Sequence, residues 1–448
     1  MFKLAKRYQT GNEIEEDLYL AFRLILFTAK HHYKPAYTGL GRCYAYSIGT
    51  QQDIVEAVHW FLKTDYLQDI DVLEFMALCY HTGIGVPQDT TKAYDLWLDP
   101  VEKGHPDSFH YCQLVANVGY PRGQFMLGHH YQHGIDTPAN IQVALQLFHQ
   151  AAEQGYAPAQ CRLGILYSEG NYGIARGPEV AVKWFQLATH QNNPVAISRL
   201  AYCLYDGDGI TQNKDEAAKL WYTLSKPTND YPKGNPAGQY GLGLVLTDKD
   251  YTGYNPKKGI KELHKAAKQD FVLAQYLLGM FYYNGLDDAV KQDYKQARYW
   301  LNKAAKQGDH IAQYHMGEIY YNGNDVSINY RKAYQYYRQS ADGCYIPAMQ
   351  KLAHLCLEGI GTKKDEAEGY HLLAMLANNS DEEALTLLRN AAMSGNHYAE
   401  NAMWIYLQEN GNYESGHTWL KQSAGNEFRF LFVIQYSWSR RCLPFLTM

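Results

Sequence analysis

The chain has 448 residues, a formal net charge of −5, and 46% hydrophobic against 19% charged residues. That balance supports packed cores and excludes disorder along the whole chain. No basic surplus is available to neutralise phosphates, so nucleic acid is not an expected partner. The one local lysine stripe (Lys257, Lys258, Lys261, Lys265, Lys268) has helical spacing and reads as a solvated outer helix face.

From the N-terminus, MFKLAKRY lacks the apolar core of a secretory leader. The longest apolar stretch near the C-terminus, from Phe428 to Tyr436, contains Arg429 and is too short to span a bilayer, which takes ~20 residues. The expectation is a cytoplasmic, bacterial protein without a membrane span, with a specialised export route left open.

A short phrase then recurs: Leu or Met, Gly or Ala, two residues, Tyr, two residues, Gly. It appears as LAKRYQTG from Leu4, LGRCYAYS from Leu40, MALCYHTG from Met76, LGHHYQHG from Leu127, LGILYSEG from Leu163 and LAYCLYDG from Leu200. It continues as LGLVLTDK from Leu242, LGMFYYNG from Leu278, MGEIYYNG from Met316 and LAHLCLEG from Leu352, with a degraded copy, AMWIYLQE, from Ala402. The first ten anchors are spaced by 36, 36, 51, 36, 37, 42, 36, 38 and 36 residues. Periods of ~20–50 residues mark stacked supersecondary units.

Each anchor phrase predicts a first helix. An Ala-rich amphipathic second helix follows, as in EAVHWFLK, VAVKWFQLA and QARYWLNKAA, which carry Trp60, Trp184 and Trp300; Trp97 and Trp221 occupy similar positions. Leu, Tyr and Trp at spacings of three or four are expected to fill the shared core. The Gly or Ala after the anchor lets two helices approach closely, so a bulky residue there should overpack. Turns such as YDGDGITQNKDEA supply Gly for φ > 0 and Asp, Asn or Thr to cap the second helix. Many second helices close on a Gly, among them Gly155, Gly308 and Gly395.

Three irregularities interrupt the period. Segments 106–121 and 381–398 read as extra helices, and the Pro-rich 225–238 as a longer loop. The expected organisation is a repeat solenoid over 1–425, followed by a C-terminal cap or tail over 426–448. The eight Cys include no CxxC and no pair at constant separation, which argues against a zinc site or a disulfide framework.

With Leu-Gly-x-x-Tyr-x-x-Gly, the Gly-x-Gly turn, the Ala-x-x-Trp helix and Ala-Ala-x-x-Gly in place, residues 1–424 resemble the Sel-one-like repeat (SLR) family, a relative of the tetratricopeptide repeats. The resemblance implies an all-α, right-handed superhelical solenoid of about ten to eleven helix-turn-helix repeats, first helices lining the concave face. It also implies a non-enzymatic scaffold or adaptor that binds a protein or peptide partner and needs no cofactor. Secreted members with a Cys pair in each repeat differ from this chain, so their proposed penicillin-binding activity is not expected here.

By analogy with the tetratricopeptide relatives, concave positions fall two before the anchor, one after the Gly and one after the Tyr. They give Tyr240 and Leu244, then Tyr276, Met280 and Tyr283, then Tyr314, Glu318 and Tyr321, with Asn284 and Asn322 at two helix ends. This aromatic stripe suits an extended peptide or a partner helix, and it equally suits packing between repeats. His129 and His133 share a helix face but lack a third metal ligand, and Asp206-Gly-Asp208-Gly lacks the remaining acids of a calcium loop. No catalytic residue and no metal site is expected. The runner-up reading is a hydrolase or small-ligand binder whose pocket is built by the inserted segments.

Overall fold

The computed structural model describes residues 1–11, 14–64, 69–102 and 108–412. The expectation for 426–448 lies outside these residues. The described residues are all-α, with 23 helices and no strand beyond isolated bridges at Leu286. Ten first-helix and second-helix pairs run from Phe2–Thr10 with Leu18–Lys30 to Ile346–Glu358 with Glu366–Asn378. Within residues 1–212 and within residues 213–412, successive helices pack on one another, as the repeats of a solenoid do. The chain divides into two compact units, Met1–Gln212 and Asn213–Met448. Among the described residues no helix is long and apolar enough to cross a membrane.

The turns form as their residues demand. First helices end on Gly in the left-handed conformation, as at Gly134 (φ 67°) and Gly323 (φ 74°), which closes the last turn without a Cβ clash. Second helices start on an Asp or Asn cap: Asp53, Asn140, Asp293, Asn329 and Asp365 each accept from a backbone N–H three residues on, at 3.0–3.2 Å. The same cap residues turn their own N–H groups back onto the first helix, as Asp293 does to Tyr282 O at 2.8 Å and Asn329 to Tyr320 O at 2.8 Å.

The Gly after the anchor is a notch for the second helix. A Cβ on Gly41, Gly128, Gly164 or Gly317 would stand 2.5–2.6 Å from the ring of Phe61, Phe148, Phe185 or Tyr337. Those rings, rather than the tryptophans at 60, 97 and 184, fill the core. Phe61, Phe148, Phe185 and Tyr337 are buried, while Trp60, Trp97 and Trp184 are half-buried. The reason is register: the residue after each Trp points at the notch, and the Trp sits one step round the helix. Trp221 differs: it is fully buried, and a Cβ on Gly241, the residue before the next anchor, would stand 2.3 Å from its indole.

Successive repeats are also tied by buried amides. Gln275 donates to Ala267 O at 3.1 Å, at the end of the preceding second helix, and accepts from Gln307 at 2.8 Å, just past its own second helix. Gln160 repeats this with Ala152 O at 3.0 Å and Gln191 at 2.9 Å. Gln124–Gln154 and Gln239–Gln269 form the same side-chain pair at 2.8 Å. Gln275→Leu would remove the bonds to Ala267 O and from Gln307, leaving Ala267 O only the Asp270 N–H at 3.2 Å, at about 0.5–1.5 kcal/mol per bond lost. We expect Tm to fall by several degrees in a thermal melt; an unchanged Tm would show the relay to be ornamental.

Two extra helices interrupt the pairing, Ser108–Asn117 and Glu382–Met393, and the Pro-rich stretch from Ser225 reaches Pro236 without forming a helix. Glu366–Asn378 packs against both following helices, Glu382–Met393 and His397–Glu409. That double cover explains why its run from Leu372 to Ala377 is buried on almost every side.

Candidate partner-binding surface

The expected stripe lies on three consecutive first helices of the second unit, Pro236–Leu246, Val272–Asn284 and His310–Asn322, and the first helix of the next repeat is Ile346–Glu358. On each of these three the Gly after the anchor turns toward the second helix, as Gly279 does toward Leu301. The positions two before, two after and five after the anchor therefore share another face.

The structure gathers part of the stripe around one residue that the sequence pattern does not single out, His315. Its ring lies 5.3 Å from Tyr314, 5.8 Å from Tyr283 and 6.3 Å from Tyr276. Tyr314 also meets Tyr345 of the next repeat at 5.4 Å. Glu318 accepts from the Tyr337 hydroxyl at 2.5 Å and faces the Lys351 ammonium at 3.4 Å. Lys351 in turn lies 5.5 Å above the Tyr321 ring. Met280 packs on the same core as Tyr276 and Tyr283. Tyr240 stands further along the stripe against Phe271, at 5.4 Å, and Leu244 is half-buried. Asn284 and Asn322 are exposed at their helix ends. Every tyrosine of the stripe is half-buried, so each ring both packs and shows an edge.

Burial sets the electrostatics. It raises the phenols of Tyr240, Tyr276 and Tyr283, and it pushes Tyr314 up to about 12 with help from the Glu318 charge. Burial lowers His315, which is therefore neutral at neutral pH. The cluster is a set of neutral hydroxyls and ring edges around one half-buried carboxylate. It offers contact area and hydrogen bonds, without a nucleophile paired to a base.

His315 and Lys351 escape a pattern-based reading because they occupy the slot just before the anchor, where Gly241 and Leu277 stand in the two preceding repeats. A polar residue in that slot is the signal that could have found them.

The other sequence candidates take up local roles. His129 and His133 stack at 5.6 Å, with Phe125 4.7 Å and Phe148 5.6 Å from His129. His130 Nδ1 lies 3.1 Å from Ile135 O. Asp208 pairs with Arg176 at 2.6 Å. Among the described residues no group of three His, Cys, Asp or Glu is placed to hold a metal ion. Six cysteines, Cys43, Cys79, Cys112, Cys161, Cys203 and Cys356, are free and buried, and burial raises each thiol above its ordinary range. A groove of about 500 Å³ lies between Tyr294–Lys306 and Tyr330–Asp342, and none of its lining residues comes from either extra helix.

His129 gives an acid-lability prediction. Burial lowers it to about 4, below the ~6.5 of an unfolded chain, so unfolding takes up a proton between those values. The contribution is whole above pH ~6.5 and drains away as pH falls toward the folded value. His264, His315 and His371 are lowered in the same direction, also by burial. We expect Tm to drop between pH 7 and 4.5, and the drop to shrink in His129→Phe. An equal drop in both would remove His129 from the cause.

The family model described as the Sel1 repeat matches ten segments: 1–30, 34–64, 72–98, 121–156, 157–193, 194–225, 236–271, 272–309, 310–343 and 346–381. The chain is similar to chitin synthase regulatory factor 3 of Schizosaccharomyces pombe, 24% identical over 261 residues, covering 58% of this chain and 26% of that protein. It is also similar to chitin synthase regulatory factor 2 of the same yeast, 26% identical over 232 residues, covering 49% and 42%. The chain thus spans less than half the length of both relatives. Among solved structures, a protective antigen present in uropathogenic Escherichia coli strains, displaying an SLR fold, superposes with a TM-score of 0.50 at 25% identity, over 94% of this chain and 89% of that one.

Proposed function

The chain belongs to the Sel1 repeat family, and on that premise we propose that it is a non-enzymatic scaffold that holds a partner protein or peptide on its first-helix face. Its tandem repeats expose a long surface built from helix faces, which suits binding better than chemistry. Two relatives are named as regulatory factors of an enzyme, chitin synthase, which fits a role exerted through another protein.

The observation that carries the reading is the cluster of Tyr276, Tyr283 and Tyr314 around His315, with Tyr321 joined to Glu318 through Lys351. Tyrosine brings large area and a polar tip for little loss of rotamer freedom. An extended peptide or a partner helix laid along these helices would meet ring edges from successive repeats, with Tyr240, Met280, Asn284 and Asn322 at the margins.

The test compares wild type with Tyr276→Ala, Tyr283→Ala, Tyr314→Ala and Tyr321→Ala combined. Because these rings also pack between repeats, a Tyr→Phe set serves as the folded control. Loss of a captured partner by about 30-fold or more in the Ala set, a hot-spot-sized effect of ~2 kcal/mol, supports the surface. Retention of the partner by a folded Ala set sinks it. A turnover abolished by one point substitution would sink the non-enzymatic reading.

A further inference from the structure

The lysine stripe of 257–268 reads, alone, as one solvated helix face. The structure sets three such second helices side by side: Pro256–Ala267, Tyr294–Lys306 and Tyr330–Asp342. His264 of the first rests on Trp300 of the second, with centroids 5.5 Å apart. Tyr336 of the third donates to Asn302 Oδ1 of the second at 3.2 Å. Their only carboxylates are Glu262 and Asp342, and the middle helix has none.

Lys265, Lys303 and Arg338 are answered by Glu262, Asp270 and Glu368 at 2.8, 3.7 and 2.5 Å. Lys257, Lys258 and Lys261 on the first helix are exposed, as are Lys295 and Lys306 on the second and Arg331 and Lys332 on the third. None of these has a carboxylate within ion-pair distance among the described residues. In a chain of net charge −5 this face has the opposite sign to the whole.

The groove between the second and third helices adds specific chemistry. Asn302, Gln335, Tyr336 and Gln339 line it, Lys306 and Lys332 flank them, and no carboxylate enters. Lys332 is held at the edge, 4.9 Å over the Tyr320 ring, and Tyr320 stacks on Tyr336 at 5.8 Å and 7°. Gln335 and Gln339 lie one turn apart on one helix face. Side-chain amides both donate and accept, which is what a peptide backbone requires of a partner. The ammonium groups require carboxylates. Helices packed ~10 Å apart spread these cations over ~20 Å, about six residues of extended chain at ~3.4 Å each. The groove's aromatic rings already face each other, which leaves no platform for nucleic-acid bases.

We propose that the second-helix face of residues 256–342 binds an acidic polypeptide segment in extended form, its backbone on the groove amides and its carboxylates on the flanking lysines. This face is separate from the tyrosine stripe, so it does not depend on the reading above.

The test is fluorescence anisotropy of the full chain with an acidic Glu/Asp/Gly peptide of about ten residues, long enough to cross the three helices. A single-stranded oligonucleotide of equal charge and phosphatidylserine–phosphatidylcholine vesicles run beside it. Lys306→Glu with Lys332→Glu should weaken the peptide by about tenfold or more. Gln335→Ala with Gln339→Ala should weaken it several-fold while leaving the salt dependence unchanged. All four positions are on the helix surface, and circular dichroism checks that the variants fold. The Tyr276, Tyr283, Tyr314 and Tyr321 control set should bind like wild type. Absence of peptide binding overturns the proposal. So does equal or tighter binding of the oligonucleotide or vesicles, or indifference to the amide pair, because each reduces the face to a general polyanion surface.

Discussion

Trp221→Ala is expected to lower the stability of the second unit by about 3–5 kcal/mol, the range for emptying a large aromatic site. Trp221 is fully buried and closes directly over Gly241, where a Cβ would stand 2.3 Å from the indole. Gly241 has no side chain that could swing into the hole. Guanidinium unfolding followed by far-ultraviolet circular dichroism should show an early phase whose midpoint shifts down. A shift worth less than ~1 kcal/mol would mean that the site collapses easily. Because a repeat array can lose its cooperativity, the phase rather than a single midpoint is the quantity to follow.

The second prediction concerns the notch made by the Gly after the anchor. Gly164→Val places atoms where the Phe185 ring now sits, 2.5 Å from the position of a Cβ. Overpacking should cost about 1–3 kcal/mol. Phe185→Ala alone should cost about 3–5 kcal/mol. Combined, the two should cost clearly less than their sum, with a coupling of roughly 0.5–3 kcal/mol, since the valine then enters vacated space. Simple additivity in urea melts would show that the ring and the glycine do not share one volume.

Much of this fold is legible in the chain because each repeat writes the same physical constraints. The Gly after Leu163 or Met316 announces a close helix approach, and Asp293 or Asn329 announces the start of the second helix. The helices in 106–121 and 381–398 are visible as apolar stretches that break the period. The burial of Trp60, Trp97 and Trp184 was overread, because a heptad-like stripe does not say which of two adjacent aromatic residues faces the notch. That choice is made by the neighbouring helix.

The stripe from Tyr240 to Asn322 was legible as a set of positions, and its organisation was not. His315 enters from an anchor-adjacent slot, and Lys351 reaches Glu318 from the following repeat. Both contacts depend on the offset between helices of different repeats, which no local pattern encodes. The basic face escaped for the same reason. Lys261, Lys306 and Lys332 lie far apart in the chain and become neighbours only through stacking.

The buried amide relay bears on how such a chain can change its length. Each relay reaches back a single repeat: Gln275 to Ala267, Gln313 to Ala305. Excising residues 275 to 312 would set Gln313 where Gln275 now donates, facing an equivalent Ala carbonyl, with the same notch and the same cap following it. Unequal recombination at the gene level could therefore drop or duplicate a unit without breaking the chemistry of the joint.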